Sequence, residues 1–398
     1  MNVAEYLKEN AKSCKADLVT NIMPFWLRYG LDRAHGGVYT CVDRDGMLMD
    51  TTKSVWFQGR FGFIAAYAYN HIMKDPEWLA ASRSCIDFME AHCFDADGHM
   101  YFEVTGEGVP LRKRRYVFSE CFAAIAMSEY ALASGDTSYA TKALELFNRT
   151  RRFLSTPGFL EPKYLPALAS RGHSITMILI NTASRIREAI AAPELDEQID
   201  TSIAALENYF IHPEYKALLE TVGLNGEFMD TCNGRMINPG HCIETSWFIL
   251  EEAKRRAWDS HLVSLALQIL DWSWEWGWDK AYGGIINFRD CRNFPVQDYS
   301  QDMKFWWPQT EALIATLYAY QATGDERYLG KHKQVRDWAY AHFPDKEYGE
   351  WYGYLHRDGT VAQPAKGNIF KGPFHIPRMM IQSYILCEEM LQGDSKKL

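Results

Sequence analysis

The 398-residue sequence predicts an all-α protein, a ring of six helix hairpins or (α/α)6 barrel, with short β-hairpins in the loops at its rim. Three observations carry that expectation. A glycine turn followed by alternating aromatic and β-branched residues recurs along the chain, amphipathic helical periodicity fills the intervals, and no linker or composition shift divides the sequence. A single catalytic domain over 1–398 is therefore expected, although length alone favours two or three domains.

The turns come first. "HGGVYTCVDRDG" from His35, "DGHMYFEVTGEG" from Asp97, "YGGIINFRD" from Tyr282 and "YGEWYGYLHRDG" from Tyr348 each set a glycine before a strand-like alternation. Their first glycines, 36, 98, 283 and 349, are separated by 62, 185 and 66 residues, and the long gap holds two weaker copies near Gly158 ("GFLEP") and Gly226 ("GEFMD"). Six units result. Tyr139, Ala143, Leu146 and Phe153 share one helical face, as do Leu262, Leu265, Ala266 and Ile269. Short turns carrying Asp75, Asp136 and Asp325 supply caps for the second helix of their units. The segment 310–322 is apolar nearly all round, as an inner helix of a ring must be. An open solenoid would need a polar last unit, whereas this chain finishes in apolar "MMIQSYILCEEML".

Composition excludes several function classes. A net charge of −9, with Lys and Arg in short runs such as "RKRR" 112–115 and "KRR" 254–256, argues against nucleic acid and anionic membrane as partners. No apolar run is long enough to span a bilayer, and the N-terminus lacks a secretory apolar core, so a cytoplasmic protein is expected. Nine cysteines without a CxxC pair fit free thiols in a reducing compartment. With 13 Trp, 22 Tyr and 21 Phe, aromatic faces suit sugar rings as well as core packing.

Two histidines stand apart from the rest. His241 follows Pro239-Gly240 at a helix start, and His375 sits in the Pro-flanked apolar loop "FKGPFHIPR", whereas His71, His92, His212, His261, His332 and His342 read as surface or capping residues. His241 and Glu244, at i and i+3, could begin a metal site. No HExxH and no cysteine pair completes it, so no metal is expected. Glu311, Arg60 and Arg378 are charges in apolar surroundings. They either form buried ion pairs, Arg60 with Glu311 for example, or converge on a polar ligand.

Six blocks, "VWFQGR" 55–60, "FAAIAMSEYALASGD" 122–136, "NGRMINPGHCIE" 233–244, "WWPQTEALIA" 306–315, "YGEWYGYLHRDG" 348–359 and "FKGPFHIPR" 370–378, resemble in order those of the N-acylglucosamine 2-epimerases. The resemblance runs nearly full length. It implies an (α/α)6 barrel, interconversion of N-acetyl-D-glucosamine and N-acetyl-D-mannosamine, His241 and His375 as the catalytic pair, and Arg60, Glu244, Glu311 and Arg378 around the sugar. It also implies a homodimer and ATP as an activator rather than a reactant, though no P-loop is present. In the sibling branch of hexose isomerases and cellobiose epimerases a further histidine occupies the place of Ile178, which favours the N-acyl branch; His173 reads as structural or as rim. Trp307 and Tyr352 are candidates for sugar stacking.

Inverting C2 next to an aldehyde requires proton transfer on both faces, and two histidines exchanging roles can provide it without a cofactor. An arginine would steady the enediolate oxygen. The rivals are an aldose-ketose isomerase, a 2-epimerase of unmodified sugars, a glycoside hydrolase using Glu244 and Glu311, and a non-catalytic sugar-binding module.

Overall fold

The computed structural model describes residues 2–113, 116–160 and 166–393. Part of the "RKRR" run and the end of the "GFLEP" copy lie outside the described residues. Thirteen α-helices carry the described fold: α1 Val3–Asp17, α2 Met23–Tyr29, α3 Val55–His71, α4 Pro76–His92, α5 Phe118–Ser134, α6 Ser138–Ser155, α7 His173–Ala189, α8 Pro193–Ala205, α9 Pro239–Arg255, α10 Ser260–Gly277, α11 Trp306–Thr323, α12 Glu326–His342 and α13 His375–Gln392. Helices α3, α5, α7, α9, α11 and α13 pack side by side into a closed inner ring, α13 returning to α3. Each is backed by an outer helix. The inner helices are buried on nearly all sides, while outer helices such as α6 and α10 bury the one face that periodicity marks.

Pairing departs from the sequence reading at one place. Five inner helices pack against the outer helix that follows them, but the sixth, α13, is backed by α1 from the other end of the chain. No described helix follows α13, so its outward apolar face is covered by Tyr6, Leu7, Ala11 and Cys14 of α1. Polar contacts also tie α1 to the neighbouring α12: Arg336 Nε donates to Asn10 Oδ1 at 2.9 Å, and the Tyr6 hydroxyl lies 2.6 Å from His332 Nδ1. His332, expected at the surface, is therefore fully buried under α1, and burial pushes its pKa down to about 3.

Glycine turns build the rim. Gly36, Gly98, Gly158, Gly226, Gly283 and Gly349, one per unit, all have φ between +76° and +88°, a conformation that costs other residues a steric clash with Cβ. Four of the turns close through one antiparallel bridge: Leu31 with Val38, Phe94 with Met100, Trp278 with Ile285, and Pro344 with Trp351. Inner-helix side chains clamp them. Gln58 accepts from Val38 N and donates to Val38 O, and Gln309 does the same to Ile285. The Asp75 and Asp325 caps form as expected, whereas Asp136 takes the amide of Ser138, the first residue of α6, from two residues upstream.

Deep in the ring, below the cavity, the inner helices are joined by polar contacts. Gln382 (α13) donates to the Tyr67 hydroxyl (α3) at 2.9 Å, the Tyr318 hydroxyl (α11) lies 3.1 Å from Glu251 Oε1 (α9) and 3.3 Å from Gln382 Oε1, and Arg185 (α7) pairs with Glu251. Ser128 (α5) donates to Arg185 O at 3.0 Å, and Asn70 (α3) donates to Glu129 (α5) at 2.7 Å. The belt passes through all six inner helices. Among the described residues no helix is long and apolar enough to cross a membrane, and all nine cysteines are free thiols.

Burial raises the Glu129 carboxyl to about 7 against the pull of Asn70. A carboxyl whose pKa is higher in the folded state stabilises the fold most below its unfolded pKa and loses that contribution as pH rises through the folded value. Thermal stability is expected to fall from about pH 5 to pH 8 by on the order of 2 kcal/mol, and Glu129→Gln should remove that slope in melts across this range.

Candidate active site

Every inner helix begins at the same end of the ring. Their first two turns, with the rim loops, line a funnel of about 1330 Å³. Six helix N-termini aimed at one cavity favour negative charge inside it. Arg60 of α3, Glu244 and His241 of α9, Trp307 of α11, and His375 and Arg378 of α13 all face this space.

His241 is fixed by the start of α9. Asn238 caps the helix through the His241 amide (3.1 Å), Pro239 occupies the first turn, and Gly240 leaves room for Trp307, whose ring lies 2.5 Å from where a Cβ would stand. The imidazole Nδ1 lies 3.0 Å from Glu220 Oε1. A carboxylate only accepts, so Nδ1 carries hydrogen and Nε2 is the nitrogen left for the cavity. Burial opposes charge on this ring, but Glu220 outweighs it, with Glu244 and Glu311 adding, and the pKa of His241 is raised above the ordinary histidine value. The same pairing holds Glu220 well below the usual carboxylate range.

His375 opens α13 in the opposite electrostatic setting. Its Nδ1 donates to Glu311 Oε1 at 2.8 Å, again leaving Nε2 toward the cavity. The same Glu311 oxygen accepts from Arg378 Nη2 at 2.8 Å, which offsets its charge at the imidazole. Burial, then Arg378 and Arg60, push the pKa of His375 well below the ordinary histidine value. Trp307 lies between the two rings, 5.1 Å from His241 and 5.9 Å from His375.

Most of the residues singled out by the sequence converge here, with corrections. Glu311 does not reach the cavity: it is fully buried behind His375, held by His375, Arg378 and the Trp247 indole N–H at 2.8 Å. An Arg60–Glu311 ion pair does not form, because Arg378 occupies that carboxylate and bridges it to Glu244. Among the described residues Arg60 has no carboxylate partner. Its guanidinium packs 4.2 Å from the Phe122 ring and 4.7 Å from Phe374, its Nε has no hydrogen-bond partner, and burial brings its pKa down to about 9. Tyr352 lies away from the cavity beside Lys366 and Arg44. Ile178 lines the funnel with Met177 and Phe122. His173 is buried, with Nδ1 3.3 Å from Glu220 Oε1.

Glu220 was not singled out from the sequence. A lone acid inside "KALLETVG" was its available signal, since a carboxylate in an apolar run needs a buried partner. Among the described residues two groups bring potential metal-ligand atoms within 4.8 Å of one another: Glu244, Glu311 and His375, and His173, Glu220 and His241. In the first, Arg378 already supplies the cation.

The family described as N-acylglucosamine 2-epimerase (GlcNAc 2-epimerase) matches residues 37–371. The N-acylglucosamine 2-epimerase of Bos taurus is 34% identical over 386 residues, covering 94% of this chain and 89% of that one, and the Homo sapiens protein of the same name is 33% identical over 383 residues, covering 93% and 87%. Among solved structures, the cellobiose 2-epimerase of Spirochaeta thermophila superposes with a TM-score of 0.83 at 21% identity, covering 97% of this chain and 98% of that one. A D-mannose isomerase superposes with a TM-score of 0.79 at 18% identity, covering 96% and 98%. The two structures share the (α/α)6 barrel, and the sequence matches carry the family. The chain belongs to the N-acylglucosamine 2-epimerase family.

Proposed function

We propose that this chain interconverts N-acetyl-D-glucosamine and N-acetyl-D-mannosamine by proton transfer between two histidines of opposite resting charge. The observation that carries the reading is the pair of environments: burial and two arginines push the pKa of His375 well below the ordinary histidine value, while Glu220 raises that of His241. Titratable groups driven apart in this way take complementary acid and base roles.

In the ring-opened sugar the C2 hydrogen is acidified by the adjacent C1 aldehyde. His375 Nε2, unprotonated at rest, removes it. The electron pair moves onto O1, and His241 Nε2–H delivers a proton to the other face of C2. The epimer whose C2 hydrogen faces His375 reacts from the resting state, and the reverse reaction starts with the two charges exchanged. Arg60 is the donor for O1, because it alone of the two cavity arginines is not committed to a carboxylate. The helix N-termini add to the stabilisation of that negative charge. Trp307 separates the two imidazoles and offers a face for the sugar, while Ile178, Met177 and Phe122 form an apolar wall suited to the acyl methyl. The burial of Glu311 argues against the hydrolase alternative, which needs two carboxyl groups flanking a bond in the cavity.

Incubation with N-acetylmannosamine in D₂O is expected to place deuterium at C2 of the product, as read by proton NMR. Full retention of the original hydrogen would exclude exchange with the histidines. In the direction that starts from the resting state the free enzyme must carry His375 neutral and His241 charged, so kcat/KM in that direction should fall on the acid side below the ordinary histidine range and on the alkaline side above it. Glu220→Gln removes the group that holds the His241 proton. It should move the alkaline limb downward and lower kcat by about 10²-fold or more; an unmoved limb would contradict the assignment.

A further inference from the structure

His173, Glu220 and His241 belong to three separate segments, and both imidazoles turn Nδ1 toward one carboxylate oxygen. Thr245 decides the state of His173. The Thr245 hydroxyl donates its single proton to the His241 carbonyl at 2.8 Å, so toward His173 Nε2, 2.9 Å away, it can only accept. His173 therefore carries hydrogen on Nε2. In its neutral form it presents a bare Nδ1 to Glu220 Oε1 at 3.3 Å, two acceptors that need a cation between them. His241 Nδ1 approaches the same oxygen to 3.0 Å. Two ligands about 2.1 Å from one ion, at about 90–110°, stand roughly 3.0–3.4 Å apart.

We infer that His173 Nδ1, Glu220 Oε1 and His241 Nδ1 form a site for a divalent transition ion such as zinc, bound in competition with protons, and that the occupied site blocks epimerisation. Two imidazoles and one carboxylate are a ligand set for such ions. The site is built before any ion arrives. His173 Nε2–H is held by Thr245, the His173 amide donates to Glu220 O at 3.0 Å, and Arg171–Gly172 pairs antiparallel with Thr221–Val222, which fixes the backbone on both sides. Glu220 and His241 line the funnel, so a further position opens onto the cavity for water. Among the described residues Glu220 is paired with histidines alone, in contrast to Glu244 and Glu311, which already share the Arg378 guanidinium. An ion on His241 Nδ1 displaces the proton there and takes Glu220 as its own ligand; the ring keeps its Nε2–H but is no longer an imidazolium, so it releases that proton far less readily and the acid of the proposed pair is disabled. Only this inhibitory consequence rests on the epimerase reading.

The test is a titration of the full-length protein with Co²⁺ as the probe. The expected result is one ion per chain, with visible bands of a nitrogen and oxygen site and no thiolate charge-transfer band from any of the nine cysteines. Zn²⁺ should displace the cobalt and abolish interconversion, and a chelator should restore it. Glu220→Gln and His173→Asn should each weaken cobalt binding about tenfold or more, with Thr245→Val as a milder variant should either fail to fold. No stoichiometric uptake, thiolate bands, or affinity unchanged in the variants would overturn the site and leave a proton alone between His173 and Glu220. The cobalt spectrum decides the site whether or not the protein turns over N-acetylmannosamine, so failure of the epimerase reading is separable from failure of this one.

Discussion

A carboxylate with no exposure to solvent must find partners or cost several kcal/mol, and the satisfaction of Glu311 organises the cavity floor. Its oxygens take the Trp247 indole N–H from α9 and the Arg378 and His375 donors from α13, while its own backbone lies in α11. Three adjacent inner helices are thereby held in one register at the point where they begin. The same contacts fix His375 with hydrogen on Nδ1 and place an arginine beside it, so the requirement that a buried charge be paired becomes a requirement on the protonation of a histidine.

His241 is set by the reverse arrangement. It stands at a helix N-terminus, a position unfavourable to a cation, and Glu220 from the loop before α9 compensates. The two histidines thus occupy equivalent places in the ring, at the first turns of α9 and α13, and differ in which charges face them. Ring repetition provides the equivalence, and the loop acid and the arginines break it.

Much of the fold was legible because its repeat is carried by glycine. Six turns with positive φ mark six units even where the surrounding residues have diverged, and the helical stripes at Tyr139–Phe153 and Leu262–Ile269 are the buried ones. The pairing of α13 with α1 was not legible, because periodicity within a helix says which face is buried but not what covers it. His332 was misread for that reason: its neighbours in sequence are polar, and its cover comes from Tyr6 at the other end of the chain. At the cavity, Arg60, Glu244, His241, Trp307, His375 and Arg378, singled out by their local surroundings and by the order of their motifs, come together. Glu220 was not singled out and His173 was read as structural or as rim, since their contacts join separate segments and leave no local spacing. Glu311 was expected to face the cavity but lies one layer behind it, because a sequence shows that a buried charge needs partners without showing on which side they stand.

The proposed opposition of resting charge between His241 and His375 is open to one direct measurement, long-range proton–nitrogen NMR of the imidazoles in the ligand-free protein, assigned by single substitutions. Near neutral pH, His375 should show one protonated and one bare nitrogen, the proton on Nδ1, while both nitrogens of His241 are protonated. Both rings neutral, or both charged, under those conditions would contradict the division of acid and base between them.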